Sequence, residues 1–98
     1  MNGKHYKLRF LSLFEDDLSG IVDYIAYRLK NPIAADQLVD AVQEAIRERT
    51  TCAEAAKERQ YPYYRIYVKN YVIFYVVIGD VMEVRRILYN RRNIPEHI

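Results

Sequence analysis

Along the chain the spacing of apolar residues switches from two to about 3.6 and then back to two. Tyr6, Leu8 and Phe10 alternate with Lys7 and Arg9, which predicts a half-buried strand over Tyr6 to Leu11. Helical spacing follows at Phe14, Leu18, Ile21, Val22, Ile25 and Leu29, with Asp16, Asp23 and Tyr27 on the opposite face. Ser12-Leu13-Phe14-Glu15 fits a capping box, in which the serine oxygen and the glutamate satisfy free amides at the helix start. Asn31-Pro32 ends this helix and opens another: asparagine caps, and proline suits a first turn that needs no amide partner. The second helix is expected from about Pro32 to about Thr50, with its stripe at Ala35, Leu38, Val39, Val42, Ala45 and Ile46.

The stretch from Tyr61 to Arg92 returns to strand character. Tyr63 to Val68, Tyr71 to Ile78 and Val81 to Tyr89 are rich in Tyr, Val, Ile and Phe, types that suit a pleated, half-buried surface. Gly79-Asp80 between the second and third runs is a hairpin signal, because glycine accepts a positive φ. Lys69-Asn70 is a second signal, with Asn70 the residue expected in the left-handed region. Thr51 to Gln60 has no apolar stripe, and both an extension of helix two and a connecting link fit it. The element order is β-α-α-β-β-β. It predicts one α+β domain over residues 1–98, in which the first strand joins the three-stranded antiparallel meander as a four-stranded sheet with the helices on one face. Strand parity then places Ile73 and Val77 against the helices and Val72 on the other side. Leu18, Ile21, Ile25, Leu38, Val42 and Ile46 complete the expected core.

Charge changes this picture by its distribution. The net charge is only +2, yet residues 1–56 hold 7 Lys+Arg against 9 Asp+Glu, and residues 57–98 hold 8 against 4. The sheet half is therefore basic, which fits a polyanion partner and equally fits an ordinary solvated surface. Cys52 is the sole cysteine, so no intrachain disulfide or cysteine metal site is expected, and a cytoplasmic setting fits. No run approaches the ~18 apolar residues of a membrane span, no signal peptide is expected, and no membrane partner is predicted.

The candidate chemistry is basic and aromatic. Seven of the ten tyrosines lie between Tyr61 and Arg92, with Arg65, Arg85, Arg86, Arg91 and Arg92. Glycine-rich phosphate loops, a Ser/His/Asp set and metal-ligand spacings do not occur, so neither a cofactor nor a metal is expected. Tyr63, Arg65 and Tyr67 share one face of their strand. Guanidinium groups grip phosphates and tyrosines stack bases, so this face is a candidate binding surface. Equally, the rings can fill core and the arginines can pair with Asp80 and Glu83. Adjacent strand residues point to opposite faces, so Arg85 and Arg86 are not expected to serve one site together.

The strings Y-R-I-Y-V-K-N-Y-V-I-F-Y-V-V (Tyr64 to Val77) and V-R-R-I-L-Y-N-R-R (Val84 to Arg92), in this element order, resemble the RelE/ParE superfamily of toxins from type II toxin–antitoxin modules. The resemblance runs from Tyr6 to about Ile94. It implies a small cytoplasmic toxin of a bacterium or archaeon, neutralised by a cognate antitoxin that wraps it with an extended or helical segment. RelE-like members cut ribosome-bound mRNA without metal, whereas ParE-like members inhibit DNA gyrase.

Carried over residue by residue, Arg65 and Arg91 resemble basic positions of the RelE-like site, and His97 falls near a C-terminal tyrosine or histidine. Tyr67 stands where such enzymes carry a lysine, and Val72 where they place a phosphate-binding arginine. The strings I-F-Y and R-I-L-Y-N-R-R look more like ParE. The expectation is accordingly a ParE-like toxin acting on gyrase, with Arg65, Tyr67, Arg86, Arg91 and Arg92 in target binding. The alternatives are a ribosome-dependent endoribonuclease using Arg65, Arg91 and His97, and a non-toxic interaction domain. Arginine is a poor proton carrier, since its pKa is ~12 or above, and His97 is the titrating group nearest the basic end.

Overall fold

The structure, a computed structural model, describes residues 5–54, 59–60 and 63–90. Arg91, Arg92, His97 and the tail from Ile94 lie outside the described residues, as do 55–58 of the expected link. Strand β1 (Lys7–Phe10) leads into helix α1 (Ser12–Asp23), which runs on as a π-helical turn (Tyr24–Arg28) before helix α2 (Pro32–Arg49). The strands β2 (Arg59–Gln60), β3 (Tyr63–Val68), β4 (Tyr71–Ile78) and β5 (Val81–Tyr89) follow. The sheet order is β1-β5-β4-β3-β2, with β1 parallel to β5 and every other pair antiparallel.

The α+β architecture and the meander boundaries are those expected, with one strand added. Arg59 and Gln60 pair with Tyr64 and Tyr63, so the sheet has five strands and not four. Two polar residues carry no alternation signal, so this strand exists only because β3 offers it a partner edge.

Local chemistry explains most boundaries. Asn31 Oδ1 accepts from the Ala34 amide at 3.1 Å and Pro32 occupies the first turn of α2, as expected. The expected capping box at Ser12 does not form. The Leu11 amide donates to the Val84 carbonyl at 3.0 Å, which continues the β1 ladder one residue further. Leu11 is thereby held extended and becomes the cap residue, without a side-chain bond, and Ser12 is already helical. In the Lys69-Asn70 turn it is Lys69, with φ of 53°, that takes the left-handed conformation, and not Asn70. In both hairpin turns the first central residue has positive φ, Gly79 at 62° doing so without strain.

The core lies between α2 and β3–β5. Leu38, Val42, Ile46, Ile73, Tyr75, Met82, Val84 and Ile87 are buried there. Leu18, Ile21, Ile25 and Val77 pack against this cluster but stay partly exposed, less buried than expected. For Leu18 and Ile21 the reason is position: α1 packs on β5, beside the edge strand β1. Leu29 leaves the stripe and is exposed. Its amide bonds the Tyr24 carbonyl, five residues back, so the π turn adds a residue and the 3.6 spacing slips. Strand β1 is also more exposed than a half-buried strand, with Leu8 at 42% and Phe10 at 41%.

Edge strand β1 is tied down by charge as well as by its ladder. Glu83 on β5, only 6% exposed, accepts from Arg9 Nη1 on β1 at 2.9 Å and from Arg85 Nε at 2.9 Å. These bonds hold its carboxyl below the usual carboxylate range. Asp17 on α1 is likewise lowered, first by Arg86 and also by the Ile87 amide.

Two outcomes follow from this packing. Ile73→Ala is expected to cost ~2–5 kcal/mol in denaturant unfolding, and Ile25→Ala clearly less, since a half-exposed site loses less burial; equal losses would contradict the placement of α1. For pH, both carboxylates have folded pKa values below their unfolded ones. Their contribution is therefore present above the unfolded carboxylate range and disappears as pH falls through the folded values. The acid limb of a stability–pH curve should flatten in Glu83→Gln, and an unchanged limb would show that the clamp carries no linkage.

Candidate functional site

One sheet face is covered by the helices; the other carries Tyr63, Arg65 and Tyr67 on β3, and Val72 and Phe74 on β4. The burial pattern of β3 matches the expected parity: Tyr64, Ile66 and Val68 are buried, and Tyr63, Arg65 and Tyr67 are not. On β4, Ile73 and Tyr75 face the helices, which leaves Val72 and Phe74 on the open side.

On β5 a bulge changes the parity. Phe74 pairs with Arg86 and Tyr75 with Val84, so Arg85 is an extra residue without an opposite number. Met82 and Val84 face the core before the bulge, and Ile87 faces it after. Arg85 and Arg86 therefore line the same depression with Leu11, Leu13, Tyr63 and Phe74. This corrects the expectation that neighbouring arginines must point apart, which holds only for an uninterrupted pleat.

Sharing a face does not make both arginines available. Arg86 donates through Nε and Nη2 to the two oxygens of Asp17, at 2.7 and 2.9 Å, a paired grip that joins β5 to α1. This bonding raises the Arg86 pKa further and lowers that of Asp17. Arg85 and Arg9 share Glu83. The two carboxylates are the largely buried partners, and each accepts more than one hydrogen bond.

Arg65 sits differently. Its guanidinium carbon lies 5.7 Å from the centre of the Phe74 ring, a cation–π contact. Its carbonyl accepts from Arg49 Nη1 at 3.1 Å, which fixes the backbone of β3 there. Arg65, Tyr67, Val72, Phe74, Leu88, Tyr89 and Asn90 enclose a hollow of about 370 Å³. Val72 is buried at its floor. So the structure brings Arg65 and Tyr67 together, and keeps Arg86 next to them on the face but bonded to Asp17. Arg91, Arg92 and His97 are outside the described residues. Among the described lining residues the hollow has one cation and no carboxylate, histidine or lysine. It can hold an anion or a planar group. No cluster of three or more His, Cys, Asp or Glu able to hold a metal occurs among the described residues.

A larger concavity lies elsewhere, and sequence reading missed it. Leu8 and Phe10 of β1, Phe14, Leu18 and Val22 of α1, and Val39 and Val42 of α2 line a groove of about 700 Å³. Both helices and the edge strand β1 frame it. The signal in the sequence was width: each helix carries more apolar positions than one contact line with the sheet can use, Val22 and Val39 among them.

Comparison with known proteins now places this arrangement. Curated protein sequences give no match. Among solved structures, the fold resembles that of the chromosomal ParDE toxin–antitoxin system from P. aeruginosa, with a TM-score of 0.75 at 16% identity over 88% of this chain and 97% of that one. It also resembles the RelB–RelE antitoxin–toxin complex from Methanococcus jannaschii, with a TM-score of 0.50 at 25% identity over 89% and 99%. For YafQ from E. coli BL21(DE3) the TM-score is 0.52 at 9% identity over 92% and 99%. The family model described as ParE toxin of type II toxin–antitoxin system, parDE, matches residues 8–94. The chain thus belongs to the ParE toxin family, within the RelE/ParE superfamily of type II toxin–antitoxin modules.

Proposed function

We propose that this ParE-family toxin arrests growth by contacting DNA gyrase, and that it is not a ribosome-dependent nuclease. The observation that carries this reading is Val72 at the floor of the open-face hollow. Metal-free RNA cleavage needs a base for the 2′-hydroxyl, an acid for the leaving oxygen and cations for the phosphorane. A valine supplies neither charge nor hydrogen bond, and Arg65 is a poor proton carrier. Hollow and rim are better suited to a protein surface: aromatic and aliphatic floor, one arginine, and tyrosines at the edge. On this reading the basic residues Arg91 and Arg92 join Arg65, Tyr67 and Arg86 in the target contact.

The cognate antitoxin is assigned to the other side of the molecule. The groove between α1, α2 and β1 is apolar and about 700 Å³, and β1 is an edge strand beside it. An amphipathic helix can fill the groove, and an extended segment can add to the edge. The Methanococcus jannaschii neighbour is an antitoxin–toxin complex, which supports such a partner.

Both parts are open to experiment. Expressed protein should inhibit supercoiling by purified gyrase and leave mRNA 5′ ends on translating ribosomes unchanged. Codon-positioned cuts with normal supercoiling would replace this reading by the nuclease, and Arg65→Ala and Arg91→Ala should then abolish the cuts. For the antitoxin, Leu8→Glu should weaken the complex by roughly 30-fold, the scale of one hot-spot residue, while toxicity persists. Undiminished neutralisation of Leu8→Glu would move the antitoxin off the groove.

A further inference from the structure

A second aromatic cluster lies at the end of the sheet, apart from the groove and next to the open-face hollow, with which it shares Tyr89. Three tyrosines from three elements meet there: Tyr24 at the start of the π turn, Tyr71 at the start of β4 and Tyr89 at the end of β5. Tyr71 and Tyr89 are cross-strand partners, with ring centres 5.7 Å apart and planes at 79°. Tyr24 faces them across a shallow depression that Asp16, Asp17, Gly20 and Ile21 of α1 complete. Tyr24 and Tyr89 are 51% and 48% exposed, so both rings are open to a ligand.

Two features of this corner have no structural return. Gly20 sits inside a helix, where glycine is disfavoured relative to alanine by ~1 kcal/mol. Nothing lies within 4 Å of where its β-carbon would stand, so close packing does not require it. Its effect is to keep the wall of the depression low. Asp16 makes no ion pair or hydrogen bond among the described residues, whereas its neighbour Asp17 is bound to Arg86. The phenol of Tyr71 is pushed up by burial, and then by Tyr89 and Tyr24 nearby.

We propose that the Tyr24–Tyr71–Tyr89 corner, with Asp16 at its rim, is a seat for the guanidinium of an arginine on a partner polypeptide. The charge complementarity is local. Ring faces and one carboxylate attract a cation, although the chain as a whole carries a net charge of +2. Guanidinium suits the seat better than ammonium. It is planar and weakly hydrated, so it can lie on Tyr24 in an open depression without losing a tightly held water shell. The seat adjoins the open-face hollow through Tyr89, while Tyr24, Tyr71 and Asp16 lie outside that hollow.

The test uses the full chain with ring-labelled tyrosine, titrated by NMR with a capped Gly-Arg-Gly peptide and with its lysine and citrulline counterparts. The Tyr24 and Tyr89 ring signals should shift with the arginine peptide, less with lysine, and not with neutral citrulline. Gly20→Met, which favours the helix while filling the depression, and Asp16→Asn should each weaken the apparent Kd about 2- to 5-fold, as expected for an exposed cation–π site. Both are exposed positions, and melting curves will show that the fold is kept. Equal shifts with citrulline, equal affinity for lysine, or unaltered binding in Gly20→Met would each overturn the assignment. So would a tenfold gain in affinity on Arg91→Ala/Arg92→Ala, because the chain's own tail would then be the occupant.

Discussion

The hydroxyl of Tyr75 joins the two layers of the molecule. Its ring is fully buried in the central strand, stacked on Tyr64 with ring centres 5.1 Å apart. A buried phenol must find hydrogen-bond partners. Here the hydroxyl donates to the Ala53 carbonyl at 2.6 Å and accepts from Arg49 Nη1 at 3.0 Å. Arg49 in turn reaches the Arg65 carbonyl. The end of α2, the turn after it and the backbone of β3 therefore all meet at one side chain. A smaller clasp closes the same region from β1: Tyr6 donates to Glu54, and its phenol is pushed up to about 12, first by that bond and then by burial.

Tyr75 also stands where the sheet changes register. It opposes Val84, while Phe74 opposes Arg86, and Arg85 is looped between. Bulges bend a strand and re-aim its side chains. Here the bulge keeps Val84 and Ile87 both in the core, although three positions separate them, and delivers both arginines to the open face. What those arginines meet there is acid: Arg85 and Arg9 on Glu83, Arg86 on Asp17. The basic excess counted along residues 57–98 is thus partly consumed in holding β1 and α1 to β5. Charge along a sequence measures the total, and the fold decides how much of it faces a partner.

Most of the architecture was legible because the apolar period is strong and the turns are short. The three meander strands, the Asn31 cap and the parity of β3 and β4 follow from local chemistry alone. What was not legible is non-local. The two-residue β2 has no pattern of its own. The capping box at Ser12 fails because a ladder bond from Val84 extends β1 through Leu11. Leu29 leaves its stripe because a π turn intervenes, and nothing in Tyr24 to Arg28 announces one. At the candidate site, the sequence placed Arg65, Tyr67 and Val72 on one face correctly. It separated Arg85 from Arg86 wrongly, since a bulge shows only when both strands are seen together. The groove beside β1 and the tyrosine corner are likewise products of how elements meet.

The family's fold and its choice of target sit at different depths of the structure. Chains with 16% and 9% identity share this topology, so the framework of helices over a meander tolerates nearly complete replacement of its residues. A fold held that loosely to sequence cannot itself select between a protein and an RNA target. The selection falls to the thin layer of side chains on the open face, which the core does not constrain. There Val72 lies on the opposite side of β4 from Ile73, away from the helices. In this chain that layer presents Val72 as an apolar floor. On our reading, the same scaffold passes in this way from gripping a nucleic-acid backbone to docking against a protein.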